Sequence, residues 1–387
     1  MSIFNNIKIA FQDKSIQDLN RAYLLFKVIN NPTATKILTS LLSLAMYLRL
    51  PINAIIKATV YKHFCGGTTI DNSQKTINNL WKYNIGTILN FSAEGQKNEI
   101  AFTRAMNETI SSIKKAKDQE SIPFAVFKPT SLVRFALLQK INTNIPLSNK
   151  EVEEKVNFKN KVEKICDYAK QSKVPLFIDA EESWIQNAID EIAKEMMRKF
   201  NTNRAWIYNT LQMYRIDRNE YLNLLIKDSI DKNYFIGIKI VRGAYHEQEI
   251  FRAEKNNYNC PVYRNKEDTD NAFNKALNTA IKNIDKIFIC AGTHNEESSE
   301  LLIKLMKKHN IANNDKRIYF SQLLGMSDHI SYNGAKEGYN IAKYVPYGPL
   351  RELLPYLIRR AEENTSISGQ MGRELVNIQL ERKRRKN

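Results

Sequence analysis

The sequence is short of the residues that would commit it to several large classes of protein. Its 387 residues include four cysteines, Cys65, Cys166, Cys260 and Cys290, far apart and without a CxxC pair. That spacing argues against a disulfide framework or a zinc ribbon and favours a reducing compartment. The 13 glycines and 10 prolines are too few for a low-complexity chain. Long hydrophobic runs are missing as well. The most apolar stretch, Ile37 to Leu50, is too short for an ordinary membrane span and is followed by Pro51. It reads as a buried amphipathic helix, with membrane-surface contact as the alternative. The start carries Asn, Lys and Gln without a clean apolar segment, so no secretory signal is expected. There is no G-x-G-x-x-G between a strand and a helix, no P-loop, no HExxH or paired histidine, and no G-x-S-x-G. No metal site and no serine nucleophile is therefore assigned.

What is present is an ordinary globular balance, with 43% hydrophobic and 26% charged residues, enough for a sizeable core. The length allows one large domain with an appendage, or two ordinary domains. A net charge of +17 suits an anionic partner such as a membrane surface, nucleic acid or an acidic ligand. The positive charge is dispersed, except for the run Arg382-Lys383-Arg384-Arg385-Lys386. That run reads as a solvated, frayed terminus, or else as a membrane or nucleic-acid contact.

Residues up to Lys82 carry helical patterns, with Pro32 and Pro51 as breaks and Gly66-Gly67 as a turn. Beyond that point short β-branched runs alternate with longer amphipathic stretches. The predicted strands are Gly86 to Phe91, Phe124 to Phe127, Pro175 to Ile178, Arg204 to Tyr208, Phe235 to Val241, Ile287 to Ala291, Ile318 to Ser321 and Ile341 to Val345. About eight β-then-α units in a row suggest an α/β chain folded as a (βα)₈ barrel, with a doubly wound sheet as the alternative that the missing G-x-G-x-x-G and P-loop disfavour. The expected division is a helical region over 1–82, the barrel over 83–370 and a basic tail over 371–387. Lys128, Asp179, Asn209, Arg242, Tyr245, His294, Gln322 and Tyr344 sit at or just beyond predicted strand ends, the face where barrels carry their active sites.

Several of these positions combine. A lysine on the inner rim needs an acidic partner, and Asp179 is the candidate for Lys128; Asp179 serves equally as the N-cap of the next helix. Along Lys239-Ile240-Val241-Arg242-Gly243-Ala244-Tyr245, alternation puts Lys239 and Val241 on one face, and Gly243 permits a close ligand approach or a simple turn. After the last strand, Tyr356, Arg359, Arg360 and Glu363 fall at i, i+3, i+4 and i+7, on one helix face. Two guanidinium forks there either clamp a small carboxylate or form a solvated charged face paired with Glu362 and Glu363.

The ordered series Lys128-Pro129-Thr130, Asp179-Ala180-Glu181, Asn209-Thr210-Leu211-Gln212, Lys239 through Tyr245, Thr293-His294-Asn295, Gln322 through Met326, Lys343 through Gly348 and Tyr356 through Arg360 closely resembles the proline dehydrogenase family. The resemblance covers roughly residues 85–365 and suits a monofunctional form. It implies a distorted (βα)₈ barrel holding FAD at the strand C-termini, oxidation of L-proline to Δ¹-pyrroline-5-carboxylate, and transfer of electrons to a membrane quinone. Carried onto this chain, Arg359 and Arg360 bind the proline carboxylate, with Glu363 pairing one of them. Tyr344, Tyr356 and Leu323 pack on the ring, and Lys128 lies beside the substrate close to Asp179. Tyr245 stands near the active-site mouth. Asn209, Lys239, Val241, Gly243, Thr293 and His294 contact FAD, with Lys239 nearest the reactive edge of the flavin. The retained Tyr344 favours proline over hydroxyproline. The expected location is cytoplasmic and peripheral to the inner membrane in a bacterium, or the mitochondrial inner membrane in a eukaryote. Nucleic acid is not an expected partner. The competing readings are a Schiff-base lyase or aldolase using Lys128 or Lys239, and a basic membrane- or nucleic-acid-binding protein without catalysis.

Overall fold

Left-handed residues punctuate the chain at most of the points where a helix gives way to a strand. Asn84, Asp118, Lys173, Asn233 and Asn310 all have φ between 50° and 58°; four of the five are Asn or Asp, whose short polar side chains tolerate that region. They lead into β1 (Ile85–Phe91), β2 (Phe124–Phe127), β3 (Leu176–Ile178), β5 (Ile236–Val241) and β7 (Ile318–Leu323). With β4 (Ile207–Gln212), β6 (Ile287–Gly292) and β8 (Ile341–Tyr347), these strands pair in parallel and close into a barrel in chain order. This computed structural model describes residues 2–31, 33–35, 37, 38, 40, 48, 56–91, 98–350, 352–354, 356–358 and 370–386.

Helices follow the strands on the outside. Asn98, Ser148, Asn265 and Asn295 cap the helices Glu99–Ala116, Asn149–Gln171, Lys266–Lys282 and Glu296–Lys308 by accepting from their first-turn amides. Parallel strands covered on both faces need apolar residues on both. The inner layer is aromatic: Phe124 and Phe177 stack with centroids 4.3 Å apart, and Tyr208 and Tyr319 meet Phe124 edge-on. The lower barrel is thus a packed core, and the open end lies at the strand C-termini.

The fourth strand falls later than expected, at Ile207–Gln212 rather than Arg204 to Tyr208. The polar run Asn209-Thr210-Leu211-Gln212 has low strand propensity, yet its backbone pairs with β3 and β5 on either side. The preceding residues are held as a loop by Asn201, whose side chain bonds the backbone of Trp206 and Ile207.

The ends of the chain also depart from expectation. The basic run is no frayed tail: it closes the helix Gln370–Arg384, which packs on the helix Ile16–Ile29. Arg385 donates to the carbonyls of Phe11 and Lys14 at 2.8 and 2.6 Å, and Arg382 lies over the Tyr23 ring at 4.2 Å. Phe26, Phe64, Leu353, Leu354, Tyr356 and Ile378 share a core that joins both termini to the segment after β8. Gly66-Gly67 runs beside the end of β8, with the Gly66 amide donating to Pro346 O at 2.9 Å. A Cβ on Gly66 would lie 2.4 Å from the Val345 side chain, so that approach requires glycine. Most of Ile37 to Leu50 falls outside the described residues. Its described members Ile37, Leu38 and Leu48 are 50–56% exposed, not buried as expected.

Candidate active site

Strand alternation decides which side chains reach the mouth. The inward set is Phe177 on β3 and Asp179 just beyond it, Tyr208, Thr210 and Gln212 on β4, Lys239 on β5, Phe288 and Cys290 on β6, and Ala342 and Tyr344 on β8. Above the aromatic layer three of these positions converge. Lys239 donates to Asp179 Oδ1, Tyr344 donates to Asp179 Oδ2 at 2.5 Å, and Lys239 Nζ lies 3.5 Å from the Tyr344 oxygen. The ammonium also stands over the rings of Phe177 and Tyr344, 5.1 and 4.7 Å from their centroids. Each favours a cation held on an aromatic floor. Burial first, then the Asp179 charge, pushes the Tyr344 phenol well above its ordinary value, so it remains a donor.

Two expectations need correcting here. Asp179 does not cap the following helix, whose N-cap is Glu182. Its ion pair is with Lys239 across the barrel, since two inward residues at the same height meet where neighbours in sequence diverge. Lys128 stands at the end of β2 beside Glu181, whose acid its charge favours ionising. Glu181 accepts from Thr130 N at 2.9 Å and Thr130 Oγ1 at 2.5 Å, fixing the Lys128-Pro129-Thr130 turn. Burial outweighs Lys128 and pushes the Glu181 carboxyl up to about 7.

Asn209, expected against the cofactor, points outward. It donates to Asp190 Oδ1 at 2.9 Å, and Asp190 in turn holds Arg218 at 2.5 Å and accepts from Gln186 at 2.9 Å. Gln186 accepts from the Glu181 amide, so Asn209 belongs to a buried network behind the rim. The β4 residue at the inner rim is Gln212, which donates to Glu181 O at 2.7 Å and accepts from Ala244 N at 3.2 Å. Placing the strand correctly would have found it.

A second group lines the rim beyond β5 and β6. Arg242 binds Asp270, Thr293 Oγ1 and Ser298 Oγ at 2.6, 2.6 and 2.9 Å. Thr293 and His294 precede the helix Glu296–Lys308, and His294 Nδ1 is hydrogen-bonded to Ser327 Oγ at 2.9 Å. Gly243 is exposed at φ 136°, and a Cβ there would meet the Tyr214 ring at 2.5 Å. Val241 faces the mouth with Lys239, while Tyr245 is buried at the start of the helix His246–Lys255. This donor set is cationic and ends at a helix N-terminus, which fits an anionic dinucleotide; Asp270 offsets part of the Arg242 charge. On the opposite side Leu323 and Tyr356 are near Tyr344. Arg359, Arg360 and Glu363 lie outside the described residues.

A closed parallel barrel whose strand C-termini carry a buried Lys–Asp–Tyr cluster is the architecture of a barrel enzyme. The comparisons give the family: the model described as Proline dehydrogenase matches residues 73–373, and the chain belongs to the proline dehydrogenase family. It is 33% identical over 365 residues to the carbapenem antibiotics biosynthesis protein CarD of Pectobacterium carotovorum subsp. carotovorum, covering 94% of both chains. It is 32% identical to mitochondrial proline dehydrogenase 1 of Dictyostelium discoideum, covering 87% of this chain and 66% of that one. Among solved structures, proline utilization A from Bdellovibrio bacteriovorus superposes with a TM-score of 0.73 at 20% identity. That likeness covers 96% of this chain but 40% of the longer protein, and speaks for the fold.

Proposed function

We propose that this protein oxidises L-proline to Δ¹-pyrroline-5-carboxylate with bound FAD and delivers the electrons to a membrane quinone. The observation that carries the reading is the Lys239–Asp179–Tyr344 cluster closing the aromatic interior, with Leu323 and Tyr356 beside it. Lys239, Val241, Gly243, Thr293 and His294 would hold the cofactor, joined by Arg242 and with Asn209 removed from the set. FAD supplies the acceptor for a hydride equivalent taken from the carbon beside the ring nitrogen.

The chain's own residues bind and orient. Arg359 and Arg360 would take the proline carboxylate as two forks, fixing one end of a small substrate. Leu323, Tyr344 and Tyr356 wall the ring, which leaves few poses and holds the reacting carbon in place. Asp179 anchors Lys239 and Tyr344 together, so neither can swing without breaking a buried charge-assisted bond. The substrate ammonium must shed a proton, and solvent at the pocket mouth would accept it. Lys239 Nζ is engaged by Asp179 and the Tyr344 oxygen, which argues against the Schiff-base alternative at that residue.

Membrane contact draws support from the terminal helices. Leu24, Val28, Val376 and Leu380 are 39–62% exposed, close in sequence to basic side chains. No helix among the described residues is long and apolar enough to cross a membrane, so contact would be peripheral. Because the basic run is docked rather than free, point substitution of these leucines and valines tests the surface better than deletion. The central test is anaerobic titration of the FAD-loaded protein with L-proline. Bleaching of the flavin spectrum is expected; a spectrum unchanged by proline overturns the reading.

A further inference from the structure

The helix Gln370–Arg384 packs with its polarity reversed. Its buried face carries Glu374 and Glu381 around Ile378, while Val376 and Leu380 face outward. Burying a carboxylate is unfavourable unless specific bonds compensate. For Glu381 the compensation comes from Arg384 and Arg385. Glu374 is different: burial pushes its carboxyl up, and it accepts from a backbone amide on another element, Ser327 N, with His329 Nδ1 3.9 Å from the same oxygen.

Ser327 is unusual in its own right. It occupies the left-handed region at φ 51°, which an L residue with a side chain seldom adopts without support. Its hydroxyl is bonded to His294 Nδ1 at 2.9 Å. The neighbouring carbonyls of the same turn are also gripped from outside: Gly325 O by His63 at 2.8 Å and Met326 O by Lys343 at 2.5 Å. On the other side of His294, Glu296 is held by Ser2 at 2.7 Å and Arg373 at 2.6 Å. Both ends of the chain thus close on the turns that flank one histidine.

We propose that Glu374 is a positioning residue for His294: it holds Ser327 in the left-handed conformation, and the Ser327 hydroxyl sets the ring orientation of the histidine. A ring held at one nitrogen in this way fixes the direction in which the other nitrogen faces a ligand. The family model ends at residue 373, so Glu374 stands just outside it. The effect on FAD rests on the reading of His294 as a cofactor contact; the effect on the histidine does not.

The test separates the two. With only five histidines in the chain, selective ¹⁵N-histidine labelling of the cofactor-free protein resolves the ring nitrogens of His294, assigned by substitution. Glu374→Ala should shift the His294 ring-nitrogen signals, and Glu374→Gln, which keeps the accepting oxygen, should return them to the wild-type positions. FAD binding, followed by fluorescence, should weaken about tenfold in Glu374→Ala and recover in Glu374→Gln. In a Ser327→Ala background, Glu374→Ala should add nothing further. An unchanged His294 pattern in Glu374→Ala overturns the proposal, as does an equal loss of FAD affinity with and without Ser327. Wild-type protein that fails to bind FAD overturns the cofactor reading alone, and the nitrogen signals still decide the role of Glu374.

Discussion

Replacing Glu181 with glutamine should flatten part of the pH dependence of stability. Its carboxyl rises from 4.5 to about 7 on folding, because burial favours the neutral acid by more than Lys128 favours the anion. Between those two values the folded state binds more protons than the unfolded chain. Stability from this group is therefore fully present in acid and is lost as pH rises toward 7. Integrated between pH 5 and pH 8, the loss is about 2.5 kcal/mol. Glutamine accepts from Thr130 N and donates to Thr130 Oγ1 without a titrating proton, so Glu181→Gln lacks this contribution. Urea denaturation of both proteins at pH 5 and pH 8 measures it: wild type should lose about 2.5 kcal/mol more than the variant across that interval. Parallel losses in the two proteins would refute the burial argument. They would show that the Lys128 ammonium or penetrating water keeps Glu181 ionised, and the Thr130 turn would need another explanation.

The other expectations test the site itself. Lys239→Met leaves Asp179 buried without its cation and should lower stability by about 3–5 kcal/mol, read by denaturant midpoint; adding Asp179→Asn should recover much of it, and a midpoint that stays low denies the pairing. Gly243→Ala combines a φ of 136° with a Cβ 2.5 Å from the Tyr214 ring, so a lowered Tm and about tenfold weaker FAD binding are expected, read by calorimetry and fluorescence titration. Arg359→Met or Arg360→Met should raise the proline Kd about 100-fold while the flavin spectrum of the loaded protein is retained; unchanged proline affinity in both would return the pair to an ordinary charged surface.

The barrel was readable because its signals are local. The strands are short runs, most of them apolar, several helices open on an Asn or Ser cap, and the β-then-α order leaves few architectures. The site was readable only in part, because it is made by meetings across the barrel. Lys239 and Asp179 lie 60 residues apart, and nothing in either segment says which lysine reaches which acid. The misplacement of β4 had a different cause. A strand that ends in Asn-Thr-Leu-Gln resembles a loop when read alone, and is a strand because β3 and β5 offer it partners. A shift of a few residues then moved the rim onto an outward asparagine and hid Gln212. The docked C-terminal helix was invisible for the same reason. A run of arginines looks solvated until the carbonyls of Phe11 and Lys14 come to meet one of them.

The last strand shows why the ends of the chain belong to the site. Lys343 and Tyr344 are neighbours on β8 and face opposite ways. Tyr344 points in and donates to Asp179; Lys343 points out, fully buried, and pairs with Asp328 at 2.8 Å. A buried lysine needs a buried acid, and a second cation, Lys14 from the N-terminal segment, reaches the same Asp328 at 3.3 Å. Burial disfavours the Asp328 charge, but the two cations outweigh it and hold the carboxyl well below the usual range. The backbone that presents Tyr344 to Asp179 is thus fixed from behind by a charge cluster that the N-terminal segment completes. A division at residue 82 separates patterns in the sequence, and the packing joins the terminal helices to Leu353, Leu354 and Tyr356 after β8 in one core.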